Sequence, residues 1–253
     1  MTYIALLTDF GTRDPYVAAM KGVIASRTGV PIVDLTHEIA PFDVFGAAWF
    51  LRAVVGYWPA GTIFVCVVDP GVGTARRIIA VEMNGKIFLA PDNGLLSLVG
   101  ASRKHAVENS ALFLPDSSNT FHGRDRFAPV AAAVANGIAL DELGPGIDDM
   151  VRLRYEPPTY GETVRGTIVS VDRFGNLITD IEATAIPFQP FALEARGITI
   201  DRLERTYAGA APGAFLIVGS SGCIEISVAN DSAAARLQMR RFEKVEVCRI
   251  GPR

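Results

Sequence analysis

The chain is poor in the groups that would tie it to a metal, a membrane or a nucleic acid. Its 253 residues include only 3 cysteines and 3 histidines. Cys66, Cys223 and Cys248 are scattered without metal-ligand spacing, and an odd number argues against a disulfide framework. They read as packed free thiols of a reducing cytosol. The spacings H-x-H, D-x-D and H-E-x-x-H do not occur, which disfavours a metal-dependent phosphohydrolase. No apolar run approaches the ~20 residues of a membrane helix. The start, Met1-Thr-Tyr-Ile-Ala-Leu-Leu-Thr-Asp, has no basic n-region and no small-residue cleavage site. The expectation is a cytoplasmic protein without a signal peptide. Lys and Arg number 24 against 27 Asp and Glu, a net charge of −3. Without a phosphate-neutralising patch, nucleic-acid binding is disfavoured.

What the chain does have is apolar residues, 49% of the total, enough for a sizeable core in one large or two smaller domains. Two of its apolar runs end on an aspartate and a glycine turn. They are Ile4-Ala-Leu-Leu-Thr8-Asp9-Phe10-Gly11 and Ile63-Phe-Val-Cys-Val-Val68-Asp69-Pro70-Gly71. Such a run reads as a buried parallel strand presenting a carboxylate at its C-terminal end. In open α/β sheets ligands bind at that edge.

The spacing predicts strands at 4–8, 31–36 and 63–68, and helices at 15–26, 44–57 and 125–135. Asn84-Gly85 predicts a two-residue hairpin turn between strands 78–83 and 86–90. Strands alternating with helices imply a mostly parallel sheet with helices on its faces. After Arg152 the pattern changes. Pro157-Pro158 and Gly161 mark a linker, and short strand-like runs follow at 164–171, 177–181, 198–200, 214–218, 223–228 and 245–250. The expected fold is thus α/β over residues 1–152, a linker over 153–163, and a smaller all-β, barrel-like domain over 164–253.

Five motifs carry candidate chemistry. In Thr8-Asp9-Phe10-Gly11-x-x-Asp14, Asp9 can accept hydrogen bonds from two vicinal hydroxyls, as a ribose diol offers. Asp14 can meet an ammonium group or cap the next helix. In Asp69-Pro-Gly-Val-Gly73-Thr-Ala-Arg76-Arg77 the glycines allow close backbone approach, and the arginines suit either solvent or an ion pair in a cleft. The Lys-Ser/Thr pair of a phosphate loop is missing. In Phe121-His122-Gly123-Arg124-Asp125-Arg126, His122 reads as exposed at a helix entrance, Asp125 as a cap, and the arginines as surface charges. His37 and His105 read as structural or surface groups. Pro91-Asp92-Asn93-Gly94 is a turn by composition. Asp172-Arg-Phe174-Gly175-Asn176 is either a hairpin loop or a base-binding loop, with Phe174 for stacking and the Asn176 amide for pairing. In Ser220-Ser221-Gly222, consecutive small residues can expose backbone N–H groups to a carboxylate.

Taken together and in this order, the motifs resemble those of the S-adenosyl-L-methionine (SAM) hydroxide adenosyltransferases. These are adenosine-forming SAM hydrolases, related to the fluorinating and chlorinating adenosyl transferases. The resemblance covers nearly the whole chain. It implies an α/β N-terminal domain, a β-barrel-like C-terminal domain, and a homotrimer with sites formed between neighbouring subunits. SAM would be the substrate, with no cofactor and no metal. Asp69, Arg76 and His122 match the family's catalytic set, and Asp9 matches the ribose-diol carboxylate. Asp14 and Asp172 match groups near the methionine end. Phe174, Asn176 and the stretch holding Ser221, Glu225 and Asn230 match base and amino-acid contacts.

A sulfonium is already an excellent leaving group, so attack at the ribose C5′ needs only a nucleophile held in line and stripped of most of its water. Arg76 and His122 would hold a water or hydroxide, with Asp69 ordering the pair. Halide transfer is the rival reaction, and a non-catalytic adenosine or SAM sensor is the rival outside enzymes. A carboxylate and an imidazole suit hydroxide better than halide, since negative charge repels an incoming anion.

Overall fold

The computed structural model describes residues 2–208 and 210–251. The chain divides into two compact units, Met1–Arg154 and Tyr155–Arg253.

Unit 1 is built on a six-stranded sheet. In chain order its elements are β1 (Ile4–Thr8), α1 (Tyr16–Ala25), β2 (Ile32–Thr36), α2 (Val44–Val54), β3 (Ile63–Val67), β4 (Ile78–Met83), β5 (Lys86–Pro91), β6 (Arg103–Ala106), α3 (Ala128–Ala135) and α4 (Leu140–Leu143). The sheet order is β2-β1-β3-β5-β4-β6. The pairs β1–β2, β1–β3 and β3–β5 are parallel, while β4 runs antiparallel to β5 and β6.

Central strands covered on both faces must be apolar throughout. Accordingly every residue of β1 and β3 is buried. Strand alternation sends Ile4, Leu6, Ile63 and Val65 to one face, where Met20 and Ile24 of α1 and Val130 and Val134 of α3 cover them. Ala5, Leu7, Phe64 and Cys66 face the other way, against Ala47 and Leu51 of α2. Asn84 and Gly85 both take positive φ, 51° and 69°, in the β4–β5 hairpin. That is the backbone a type I′ turn demands.

Two local expectations need correcting, and one strand is unanticipated. The helix expected over 44–57 is α-helical only to Val54, with a 3₁₀ turn at Val55–Tyr57. The helix expected over 125–135 opens with a π turn at Gly123–Phe127, and α3 begins only at Ala128. Pro129 lies just after the π turn, at the start of α3. The edge strand β6 carries a short Arg-Lys-His-Ala sequence with no apolar alternation to mark it.

Unit 2 contains β7 (Thr163–Val171), β8 (Leu177–Glu182), β9 (Phe191–Ala195), β10 (Ile198–Ile200), β11 (Leu203–Glu204), β12 (Ala214–Val218), β13 (Cys223–Val228), α5 (Ala233–Leu237) and β14 (Lys244–Arg249). The strands form one curled sheet, in the order β10-β9-β14-β7-β8-β13-β12-β11, antiparallel except at β11–β12. β10, at one edge, packs beside β12 near the other. Ile168, Leu177, Leu216, Ile224, Ile226 and Val247 form its core. The helix α5 escapes the expectation of an all-β domain, because five residues are too few for a helical period to register. Its start is nonetheless conventional: Ser232 Oγ accepts the Ala235 N–H at 3.1 Å.

Candidate active site

Adjacent parallel strands carry Asp9 and Asp69 off the same end of the unit 1 sheet. Thr8, the last residue of β1, is in register with Val67, the last of β3. A cavity of about 420 Å³ opens at that end, lined by Asp9, Phe10, Tyr16, Pro41, Phe42, Val67, Asp69, Val72, Thr120, Phe121, His122 and Gly123. The volume lies within the range of small-molecule sites. Two carboxylates and four aromatic rings contribute to its wall, and among the described residues no lysine or arginine does. Phe10, Tyr16 and Phe121 pack edge-on or tilted against one another, with centroids 5.1 to 6.0 Å apart.

Asp69, Arg76 and His122 meet. Arg76 grips Asp69 with two donors, Nε to Oδ1 at 2.9 Å and Nη2 to Oδ2. Nη2 also reaches His122 Nδ1 at 2.9 Å. A guanidinium can only donate, so Nδ1 must be the acceptor and the ring is neutral with its proton on Nε2. The electrostatics agree. Burial, followed by the positive charges of Arg126 and Arg76, pushes the His122 pKa below its ordinary value. Contrary to expectation, His122 is only 2% exposed. It caps the π turn, which folds it into the wall. Its Nε2 is buried with no hydrogen-bond partner among the described residues. Arg76 does not line the cavity. It stands behind Asp69 and His122, with Nε and Nη2 committed to them.

Asp9 keeps one oxygen bound and one available. Its Oδ2 accepts the N–H of Phe42 at 2.8 Å. Asp14 is exposed and does not line the cavity. It is not a cap either, since Pro15 occupies that position and α1 has no side-chain cap.

Several other residues singled out from the sequence have partners of their own. Arg77 pairs with Asp92 at 2.6 Å and Asp149 at 3.0 Å, so it is neither free nor in the cavity wall. Asn93 donates to the Val68 carbonyl at 2.9 Å and accepts from Leu95 N, which ties its turn to the end of β3. Asp125 is fully buried and does not cap α3. It accepts from Arg124 at 2.6 Å and from Ser118 N at 2.7 Å. Burial works to raise its pKa, but those two donors hold it below the ordinary value. Arg126 donates to Ser117 Oγ at 3.3 Å and lies over Phe113. His105 is buried, with Nδ1 3.1 Å from the Gly144 carbonyl.

In unit 2 a second cavity, of about 600 Å³, is lined by Asp172, Phe174, Asn176, Tyr207, Val228, Asn230, Asp231 and Ser232. Asp172 organises the loop: Oδ1 accepts from Phe174 N and Asn176 N, and Oδ2 from Asn176 Nδ2 at 2.9 Å. A carboxylate can only accept, so this bond fixes the amide orientation and leaves Asn176 Oδ1 as an acceptor. Phe174 is 77% exposed. Gly175 has φ 85°, and a Cβ there would meet Ser232 Oγ at 2.1 Å. The loop therefore seats directly on the start of α5.

Glu225 and Ser221 do not line this cavity. Ser221 is exposed in the β12–β13 turn. Glu225 is buried behind Tyr207, whose hydroxyl donates to Oε2 at 2.9 Å. Burial raises the Glu225 pKa, with the Asp172 charge adding to it, and pushes the Tyr207 hydroxyl up to about 12. Sequence reasoning missed Tyr207, along with Tyr16 and Phe42 of the first cavity. Tyr207 follows the two-residue strand β11 in irregular chain, where no period marks it.

Both units match known families. A family model described as the SAM hydroxide adenosyltransferase N-terminal domain matches residues 4–144, and its C-terminal counterpart matches residues 166–246. An (R)-S-adenosyl-L-methionine hydrolase of Thermus thermophilus is 37% identical over 256 residues, covering 95% of this chain and 97% of that one. A fluorinase of an Actinoplanes species is 31% identical over 214 residues, 72% of each chain. A solved structure of an uncharacterized conserved protein from Thermotoga maritima superposes with a TM-score of 0.91 at 32% identity, covering 97% of this chain and 100% of that one. The chain belongs to the SAM hydroxide adenosyltransferase family.

Proposed function

We infer that the protein hydrolyses S-adenosyl-L-methionine to adenosine and L-methionine, by attack of water at the ribose C5′. The observation that carries this reading is the neutral His122 ring, with a buried, unpartnered Nε2–H in the wall of a cavity that Asp69 shares. A buried donor without an acceptor costs about 1–3 kcal/mol, and an oxygen ligand removes that cost.

In the proposed step a water accepts from His122 Nε2–H and donates to Asp69. Its lone pair forms the O–C5′ bond while the C5′–S bond breaks. The electron pair goes to sulfur, which leaves as the neutral thioether of methionine, and the water's proton passes by Asp69 to solvent. No leaving-group acid is needed. Arg76 acts from behind, fixing the Asp69 carboxylate and the His122 tautomer. A wall of aromatic rings and carboxylates favours the sulfonium substrate, because ring faces and anions both attract a cation. The same wall disfavours a free halide as nucleophile.

For the remaining contacts, Asp9 would take the ribose diol and Phe174 would stack on the base. Asn176 Oδ1 would accept from the base's amino group. Asp14, Asp172, Ser221 and Asn230 remain candidates for the methionine end, while Glu225 would act through Tyr207. We place the enzyme in the cytoplasm as a homotrimer. In it, the unit 1 cavity of one subunit would be completed by the unit 2 cavity of a neighbour. Mixing His122→Ala subunits with Phe174→Ala subunits should then create sites with the native KM, each pairing an intact unit 1 cavity with an intact unit 2 cavity. Verified mixed trimers that show only the raised KM of Phe174→Ala contradict the shared site.

The test of the reaction is product analysis of SAM incubated in high chloride. Adenosine and methionine are expected from the unaltered protein, while Asp69→Ala and His122→Ala should bind adenosine but not turn over. Formation of 5′-chloro-5′-deoxyadenosine, or unchanged rates in those variants, contradicts the reading.

A further inference from the structure

His37 lies outside the cavity wall, yet it is wired to the turn that presents Asp9. Its Nδ1 is 2.8 Å from Thr8 Oγ1, and Thr8 Oγ1 in turn accepts the Phe10 N–H at 3.2 Å. Its carbonyl accepts the Gly11 N–H at 2.7 Å. On the far side, Nε2 lies 3.0 Å from Asp34 Oδ1, close but out of line for a regular hydrogen bond. Lys21 holds the other Asp34 oxygen at 2.6 Å.

The polarity of this chain is set at the Asp34 end. The Asp34 carboxylate draws the ring proton to Nε2, so Nδ1 accepts the Thr8 hydroxyl proton, and the hydroxyl oxygen accepts the Phe10 N–H. His37 and Thr8 are both buried, so neither is a nucleophile despite the resemblance to a hydroxyl–imidazole–carboxylate triad.

A register irregularity explains how the sequence brings them together. Leu6 pairs with Asp34, but Leu7 pairs with Thr36. The skipped residue advances the end of β2 so that His37 falls beside Thr8. Irregularities of this kind re-aim side chains next to functional sites. The same loop then returns at Phe42 to bind Asp9 Oδ2.

We propose that His37 is a positioning residue for Asp9. Through Thr8 and Gly11 it clamps the β1 turn from both sides, so that the unbound Asp9 oxygen is held ready for a diol. The proposal rests on the diol reading of Asp9, and the experiment separates the two. Adenosine and 2′-deoxyadenosine affinities are measured by calorimetry on the native protein and on Asp9→Asn, Thr8→Val, Thr8→Ser and His37→Ala, each checked for an unchanged circular dichroism spectrum. The native protein should prefer adenosine by on the order of ten-fold. Asp9→Asn and Thr8→Val should both lose that preference, while Thr8→Ser, which restores the hydroxyl, should keep it. His37→Ala should behave as Thr8→Val does. A merely structural role would weaken both nucleosides equally and leave their ratio intact. If Asp9→Asn keeps the preference, the diol reading falls and takes the proposal with it. If Asp9→Asn loses the preference but folded Thr8→Val keeps it, the relay alone is overturned.

Discussion

The two units make their cavities from opposite kinds of backbone. In unit 1 the candidate carboxylates ride on the ends of buried parallel strands, and the groups that meet Asp69 come from distant segments: Arg76 from a loop, His122 from a π turn. In unit 2 the polar groups come from hairpin loops that satisfy themselves, as Asp172 does with three bonds inside its own loop. The first arrangement leaves a donor unpaired and an acid adjacent to it, which suits chemistry. The second leaves an exposed aromatic ring and an oriented amide, which suits recognition. The difference predicts that damage to Asp69, Arg76 or His122 acts on turnover and damage to the unit 2 loop acts on affinity.

Among residues behind the cavity wall, the largest effect should follow Arg76→Ala. Asp69 and His122 both lose their orienting donor, and kcat should fall by about 10²–10⁴-fold, as when an acid–base group is lost. Adenosine affinity should stay within a few-fold, since Arg76 does not line the cavity. A kcat loss under about ten-fold contradicts its place in the set.

The pH profile sharpens the same point. The His122 pKa is depressed, so the neutral ring persists below the ordinary histidine value. Activity should be level through neutrality and fall only in acid, where protonation of Nδ1 evicts the Arg76 donor. Stability follows with the same sign. Below about pH 6.5 the unfolded chain takes up a proton that the native ring refuses, so the stability held above that pH is lost as pH falls. Rates that rise on acidification through this range contradict a neutral His122.

A smaller effect is expected in unit 2. Phe174→Ala should raise KM by about ten-fold, the scale of one lost aromatic stack, with kcat nearly unchanged. A pure kcat defect there breaks the division of labour. The smallest effect should come from Tyr207→Phe. Removing the donor to buried Glu225 should cost about 1–2 kcal/mol, seen as a lower urea midpoint at unchanged slope.

The legible parts of the fold were those set by local rules. Ile4–Thr8 and Ile63–Val67 are apolar because both faces of the sheet are covered, so the strands and their terminal aspartates stand out in the sequence. The Asn84-Gly85 hairpin was legible because few residue pairs adopt two positive φ angles. The wiring between segments was not. His122 reads as exposed because nothing local announces that a π turn will bury it. Glu225 alternates with the core residues Ile224 and Ile226, so its pattern points to solvent, yet Tyr207 covers it. The role of His37 depends on a skipped residue between β1 and β2, and pairing irregularities leave no trace in hydrophobic period.

The most direct test of the central claim is SAM turnover in ¹⁸O-labelled water, followed by mass spectrometry of the nucleoside. If water attacks C5′ beside Asp69 and His122, the label appears in the 5′-hydroxyl of adenosine, and His122→Ala abolishes its formation. Unlabelled adenosine, or labelled adenosine formed at the native rate without His122, would contradict it.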